Sequence, residues 1–245
     1  MGRAIGADII PCARTAGWIE EAYLKSLLDA LRADCVFDVG ANIGQFGQIL
    51  RGSGFSGTIL SFEPAPRAFA RLSEVSRDDH GWHVFNIALG ATDQMLPFNV
   101  MKEDVFSSFR MPTAKENAAF CADNQIEATL EVPVRPVASL IDELAERYRF
   151  TRPFLKMDTQ GFDLEVIRGA GTSLQRFIGL SSEIAMRRLY EGSPHMAESI
   201  EFINTCGFDF VNFLPVHPGR ILNPLEFNSF AVRRDLVDAE DYSAA

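Results

Sequence analysis

An acid and two glycines, Asp38, Gly40 and Gly44, fall within VFDVGANIGQFGQIL at 36–50. The apolar pair Val36 and Phe37 precedes them, and a helical pattern (Phe46, Ile49, Leu50) follows. The order predicts a strand, a glycine-bearing turn and a helix start. Such a turn exposes backbone to a ligand, and the helix N-terminus adds unpaired N–H groups. About twenty residues on, the strand TILSFEP ends in Glu63, where a carboxylate is placed to hold the two hydroxyls of a ribose.

The spacing separates two ligand classes. A dinucleotide fingerprint needs G-x-G-x-x-G, with glycines close enough for a pyrophosphate. This chain has D-x-G-x-x-x-G, and Gly47 does not repair the pattern. Asp38 would repel a pyrophosphate and suits a cationic ligand. S-adenosylmethionine (SAM) carries an ammonium, a sulfonium and a ribose, and no phosphate. The expected contacts are Asp38 and the Gly40 backbone at the methionine half and Glu63 at the ribose. Asn42 serves either as a hydrogen-bonding group there or as a turn former. Pro64 turns the chain away, and Asn86, Ile87 and Ala88 border the adenine.

Methyl transfer from a sulfonium is an in-line displacement, so the protein supplies alignment and activation of the acceptor. An oxygen nucleophile needs a proton acceptor or a metal. Asp158 ends a predicted strand, FLKMD, and Glu183 lies in the next, FIGLSSEIA. Asp158 acts alone as base or anchor, or the two bind a divalent cation; Glu183 otherwise pairs with Arg187, Arg188 or Lys156. His195 is a candidate base near neutral pH and otherwise a helix-start residue beside Pro194; His217 is a weaker candidate of the same kind.

These residues must be carried by alternating strands and helices. Strands are expected at 35–39, 57–62, 82–87, 154–158 and 177–185. Helices are expected at 17–32, 44–52, 66–77, 162–169 and 195–207, with Pro66 at a favoured first-turn position and Gly207 at a stop. FDFVNFL at 208–214 and EFNSFAVR at 226–233 suit an antiparallel hairpin, and the acidic tail from Asp235 is expected to fray. Between Gly90 and the helix VASLIDELAERY the alternation breaks. The strand-like MLPFNVM and ATLEVPVRP flank a polar segment, which makes 91–136 an insertion with the length of a functional lid. Ser107 and Ser108 there either orient a hydroxylated substrate or form a plain turn. Phe98, Phe106, Phe109 and Phe120 either wall a pocket or close a small core. The pattern is a doubly wound α/β sheet, whose ligands lie beyond the C-terminal strand ends, where Asp38, Glu63, Asn86, Asp158 and Glu183 gather.

DVGANIG at 38–44, SFEP at 61–64, NIALG at 86–90 and LKMDTQGFDLEVIRGAG at 155–171 together resemble the FkbM family of class I SAM-dependent methyltransferases. Two positions depart from its usual pattern: Gln160 stands where an acid is usual, and Asp163 where Glu is commoner. The resemblance implies a mostly parallel seven-stranded sheet with an antiparallel C-terminal hairpin and an insertion after the third strand. It implies one catalytic domain over 1–245, with 1–33 as an N-terminal helical segment. It makes Asp38, Gly40, Asn42, Gly44, Glu63, Pro64, Asn86, Ala88 and Asp158 the SAM site. It implies an O-methyltransferase acting on a sugar, glycan or polyketide-like hydroxyl, with no obligatory metal. The rival readings are a SAM-binding regulatory protein without turnover and a nicotinamide oxidoreductase.

Bulk properties limit the partners. The 245 residues hold 47% hydrophobic and 23% charged residues, ordinary for one globular domain. A net charge of -10 argues against nucleic acid and against anionic membranes; the small-molecule or glycan acceptor is what the resemblance implies. No apolar run is long enough to span a membrane, and the N-terminus lacks the pattern of a secretion signal. Cys12, Cys35, Cys121 and Cys206 are widely spaced, which disfavours zinc or disulfides and suits a reducing cytoplasm. The N-terminal amphipathic helix suits a homodimer as well as its own core.

Overall fold

The computed structural model describes residues 15–113, 125–217, 219 and 222–241. Cys12, Cys121 and Phe120 lie outside the described residues. Seven strands form one sheet in the order β3-β2-β1-β7-β8-β10-β9. They are β1 (Cys35–Val39), β2 (Thr58–Phe62), β3 (Trp82–Phe85), β7 (Pro153–Met157), β8 (Gly179–Ala185), β9 (Phe208–Pro215) and β10 (Glu226–Arg233). β1 runs parallel to both β2 and β7, and β8 is parallel to β7. β10 is antiparallel to both β8 and β9, so the C-terminal hairpin inserts its second strand inward. Strand order reverses between β1 and β7, which opens a crevice at their C-terminal ends.

The central strands read as continuous apolar runs because both faces are covered. β1 and β7 are buried at every position. On one face pack α1 (Thr15–Ala30), α2 (Gln45–Gly52) and α3 (Pro66–Ser76), through Leu24, Leu28, Leu31, Leu50 and Leu72. On the other lie α4 (Ile141–Tyr148), α5 (Asp163–Ala170) and α6 (Met196–Thr205), whose Ile141, Leu144, Ile167 and Ile203 surround Phe37, Phe62 and Phe177. α1 buries its leucines in its own core and leaves Trp18 and Ile19 outside.

The insertion is built as a second sheet. β4 (Ala88–Leu89), β5 (Gln94–Met101) and β6 (Ile126–Arg135) are ordered β4-β6-β5, with β5 and β6 as an antiparallel ribbon. Phe98 and Val132 of this ribbon pack on Ala65 and Ala68 of the main domain. The polar stretch at 114–124 lies outside the described residues.

One expectation is corrected. The tail from Asp235 does not fray at once. Arg234–Asp241 forms a helix, α7, and Leu236 and Val237 pack against the core. Arg233 and Arg234 anchor its start through Asp235 and Asp209. The acidic composition concealed two apolar residues one turn into the segment.

Candidate active site

The β1–α2 turn is shaped by three residues with left-handed backbone: Gly40 (φ 75°), Asn42 (φ 48°) and Gly44 (φ 92°). The N–H groups of Gly40 and Ala41 both donate to the carbonyl of Phe62, at 3.0 and 3.1 Å, which fastens the turn to the end of β2. A Cβ on Gly40 would lie 2.0 Å from the Asp158 carbonyl oxygen, so the turns after β1 and β7 touch backbone to backbone. Gly44 faces Leu72 and Trp82, at 3.0 and 3.3 Å from an added Cβ, and serves packing rather than the crevice. Asn42 is a turn former: its Oδ1 accepts the Ile43 N–H at 2.7 Å.

Glu63 leaves the end of β2 almost fully buried. Its two carboxylate oxygens accept the N–H groups of Asn42 and Ala65, each at 2.8 Å. Each oxygen keeps a free lone pair, two acceptors for a pair of hydroxyls. Burial pushes its pKa up to about 7, against the two N–H bonds that lower it. Asn86 spans the neighbouring strand end, donating to the carbonyls of Glu63 (2.8 Å) and Pro64 (3.1 Å).

A cavity of about 300 Å³ lies over these strand ends. Gly40, Asn42, Glu63, Pro64, Ala88 and Leu89 are among its lining residues. Asp158, Gln160 and Ser107 line it as well, with Phe98 and Phe109 of the insertion as apolar walls. Asp158 is exposed in it. Asn86 and Ser108 are not part of the lining. Ser108 is fully buried, donating to the Gln160 carbonyl (2.8 Å) and accepting the Arg110 N–H (3.0 Å), so of the serine pair only Ser107 faces the cavity.

The family model of the FkbM methyltransferase domain matches residues 38–210. The chain belongs to that family. Three solved structures are similar to the chain. Fibrillarin pre-rRNA processing protein of Methanococcus jannaschii aligns over 94% of this chain and 84% of its own, at 12% identity and a TM-score of 0.50. Aeropyrum pernix fibrillarin with natively bound SAM aligns over 88% of this chain and 74% of its own, at 15% identity and a TM-score of 0.45. Magnesium protoporphyrin IX methyltransferase from Synechocystis PCC 6803 with bound SAM aligns over 94% of this chain and 88% of its own, at 10% identity and a TM-score of 0.43. No curated protein matches the chain. At these identities the likeness is one of fold.

The FkbM methyltransferase uses SAM as its cofactor, and the residues present fit it. Bare backbone at Gly40, the acceptors of Glu63 and the apolar Ala88 and Leu89 would suit its amino-acid, ribose and base parts. The nicotinamide reading falls with the family match, since the turn lacks the third glycine.

Asp38 does not sit where the sequence suggested. It is fully buried and outside the cavity lining. Lys156 donates to Oδ1 at 2.8 Å and Ser61 to Oδ2 at 3.0 Å, while Trp82 Nε1 donates to Ser61 at 2.9 Å. The reason is register. Asp38 is level with Ser61 of β2 and Lys156 of β7, so three polar side chains meet on one face of the sheet beneath the turn. Lys156 also lies over the Phe46 ring, 4.9 Å from its centroid. This buried pair supports the turn from below.

Glu183 is half-buried beside a separate cavity of about 20 Å³, with Glu226 and Asp163. Burial and these acids push Glu183 well above the carboxylate range and Glu226 up to about 8. Its side chain meets Gln160 rather than an arginine or Lys156. Among the described residues no group of three or more His, Cys, Asp or Glu is arranged to hold a metal. His195 is exposed at the start of α6, its N–H donating to Glu198 at 2.6 Å, and does not line the cavity. His217 is exposed after β9.

Glu20 and Asn228 are among the lining residues that the sequence did not single out. Glu20 of α1 reaches the cavity and accepts from Asn228 of β10 at 2.8 Å. Burial raises its pKa. An acid in an amphipathic helix carries no local signal of this, because the contact spans 208 residues of sequence.

With Glu63 as the proposed ribose acceptor, SAM binding should depend on pH. Its folded-state pKa near 7 lies above the ordinary 4.5, so its contribution to stability is full below about pH 4.5 and is lost as pH rises through 7. The SAM-free protein should lose on the order of 3 kcal/mol across that window from this group. Ribose hydroxyls donate to the ionised form, so SAM affinity should rise over the same window with release of a proton. Calorimetry in buffers of different ionisation heat measures that release. Glu63→Gln should abolish it, and proton release retained in that variant would assign the titration elsewhere.

Proposed function

We propose that this FkbM methyltransferase transfers a methyl group to a hydroxyl of a small, neutral, polyhydroxylated acceptor, of the sugar, glycan or polyketide kind. The observation that carries the reading is Asp158, an exposed carboxylate in the lining of the cavity that Glu63 also lines. Bound SAM supplies an electrophilic methyl on a sulfonium that leaves as a neutral thioether. Asp158 would orient the acceptor hydroxyl and take its proton as the oxygen–carbon bond forms. Ser107 adds a hydroxyl to the same wall, and Phe98 and Phe109 offer apolar faces to the C–H side of a ring.

Charge supports a neutral acceptor over a phosphorylated one. Glu20 and Asp158 line the cavity, and its Lys156 is already paired with Asp38. The chain's net charge of -10 points the same way and away from nucleic acid. Among the described residues no helix is long and apolar enough to cross a membrane. The free thiols of Cys35 and Cys206 suit a cytoplasmic setting.

The test is turnover. The protein is incubated with SAM and a panel of hydroxylated sugars, glycosides and polyketide alcohols. S-Adenosylhomocysteine release should be matched by an acceptor gaining one methyl ether. SAM binding with no release across such a panel would favour the regulatory reading. Methylation at an amine or carbon would move the chemistry from oxygen.

A further inference from the structure

Gln160 holds an unusual position. It has a left-handed backbone (φ 52°) between Asp158 and Gly161, a conformation costly for a residue with a Cβ. Such strain persists where the surroundings over-determine it, and here four bonds do. Nε2 donates to Asp158 Oδ1 at 2.8 Å and to Glu183 Oε2 at 3.0 Å. Oε1 accepts from the buried Tyr190 hydroxyl at 2.7 Å. The backbone carbonyl accepts from the buried Ser108 hydroxyl at 2.8 Å. The amide therefore joins the end of β7, the strand β8, the loop after β8 and the insertion.

Only an amide satisfies this set. Two N–H donors face two carboxyl groups, and one oxygen faces a hydroxyl. A flipped amide would put its oxygen against both acids. A glutamate would place a second carboxylate beside Asp158 and offer it no donor.

The surroundings make the bond to Asp158 consequential. Asp158 is near Lys156 on its own strand, Asp163 at the start of α5, Glu183 on β8, Glu226 on β10 and Glu20 on α1. Four of these five neighbours are acids. Lys156 is committed to Asp38. A carboxylate among acids needs a donor fixed in place if it is to point one way.

We propose that Gln160 is a positioning residue, whose amide pins the Asp158 carboxylate toward the acceptor and separates it from the Glu183 carboxyl. The proposal rests on Asp158 as proton acceptor, and its test does not. Asp158 is read directly by carboxyl-carbon NMR on protein labelled at the aspartate side chains, with its signal assigned by its loss in Asp158→Asn. Two variants are compared with wild type: Gln160→Glu, which keeps the shape and reverses the polarity, and Gln160→Met, which keeps the length and removes the donors. Thermal melting establishes that each is folded, and S-adenosylhomocysteine binding by calorimetry probes the cofactor end.

In Gln160→Glu the Asp158 titration midpoint should rise by at least one pH unit, a tenfold shift in proton affinity. Gln160→Met should move it in the same direction by less. Affinity for S-adenosylhomocysteine should stay within about threefold in both. A residue that merely held the fold would lower the melting temperature without moving the Asp158 titration. An unmoved midpoint in either folded variant would overturn the clamp. Full methyl transfer by Asp158→Asn would overturn the base reading instead and leave the titration result standing.

Discussion

Gly40→Ala should lower the stability of the protein by more than about 4 kcal/mol and abolish SAM binding. Two independent penalties meet at this position. The backbone is left-handed, which costs a residue with a Cβ about 1–2 kcal/mol. The new methyl would also sit 2.0 Å from the Asp158 carbonyl oxygen, an overlap with backbone that no side-chain rotation relieves. Relief requires β1 and β7 to separate at their C-terminal ends. That would break the Asp158 N–H bond to the Val39 carbonyl, now 3.0 Å, and the Gly40 bond to Phe62. The same turn positions the Asn42 N–H on Glu63, so the ribose acceptors would move with it. Gly52→Ala is the control. Nothing lies within 4 Å of its added Cβ, and it sits in α2, where alanine is the better helix former by about 1 kcal/mol. Urea unfolding of both variants and SAM titration of the folded fraction check the result. A Gly40→Ala protein as stable as Gly52→Ala, with SAM bound normally, would mean the two turns are not in contact.

Much of this arrangement was legible in the sequence because it depends on local order along the chain. The acid–glycine turn, the acid about twenty residues later and the KMD strand end each follow from a short pattern that places groups at C-terminal strand ends. The parallel sheet and the antiparallel terminal hairpin follow from the alternation of apolar runs; the inward placement of the second hairpin strand does not. What the chain did not disclose depends on register between distant strands. Asp38 reads as a cavity acid until β7 is laid beside β1, and then Lys156 stands level with it and takes it. Glu20, Asn228 and Tyr190 enter the site from the two ends of the chain and from a loop, with no motif to announce them. Gln160 was visible as a departure from the family pattern, and its left-handed turn is hinted at by Gly161. Its bonds to two acids and a tyrosine were not, because they join β8 and the following loop to the end of β7.

Asp158→Asn should cost about a hundredfold to ten-thousandfold in the rate of methyl transfer and leave SAM affinity within a few-fold of wild type. The substitution keeps the size of the side chain. Its backbone N–H bond to Val39 is unaffected, so the contact between the two turns survives. What changes is the acceptor: a carboxamide has one weakly basic oxygen and two N–H donors. Those donors would face the Gln160 Nε2 that now donates to Asp158 at 2.8 Å, so the side chain must turn its oxygen there and present N–H to the acceptor hydroxyl. That reverses the polarity needed to draw off a proton. Glu63→Ala provides the contrast. Loss of charge-assisted bonds worth about 1.5–3 kcal/mol should weaken SAM roughly tenfold or more. The two variants should therefore separate, one failing in the chemical step and the other in cofactor binding. Turnover at saturating SAM and SAM affinity, measured on the same preparations, resolve them. Near-normal turnover in Asp158→Asn would move the proton acceptor to Glu20, the carboxylate in the cavity lining besides Asp158 and Glu63. Wild-type turnover assayed with a chelator and with added magnesium completes the test. A cation held between Asp158 and Glu183 would have to displace the Gln160 amide that bridges them. Turnover indifferent to both additions is the expected result, and turnover lost to the chelator and restored by magnesium would give that carboxylate pair to a metal.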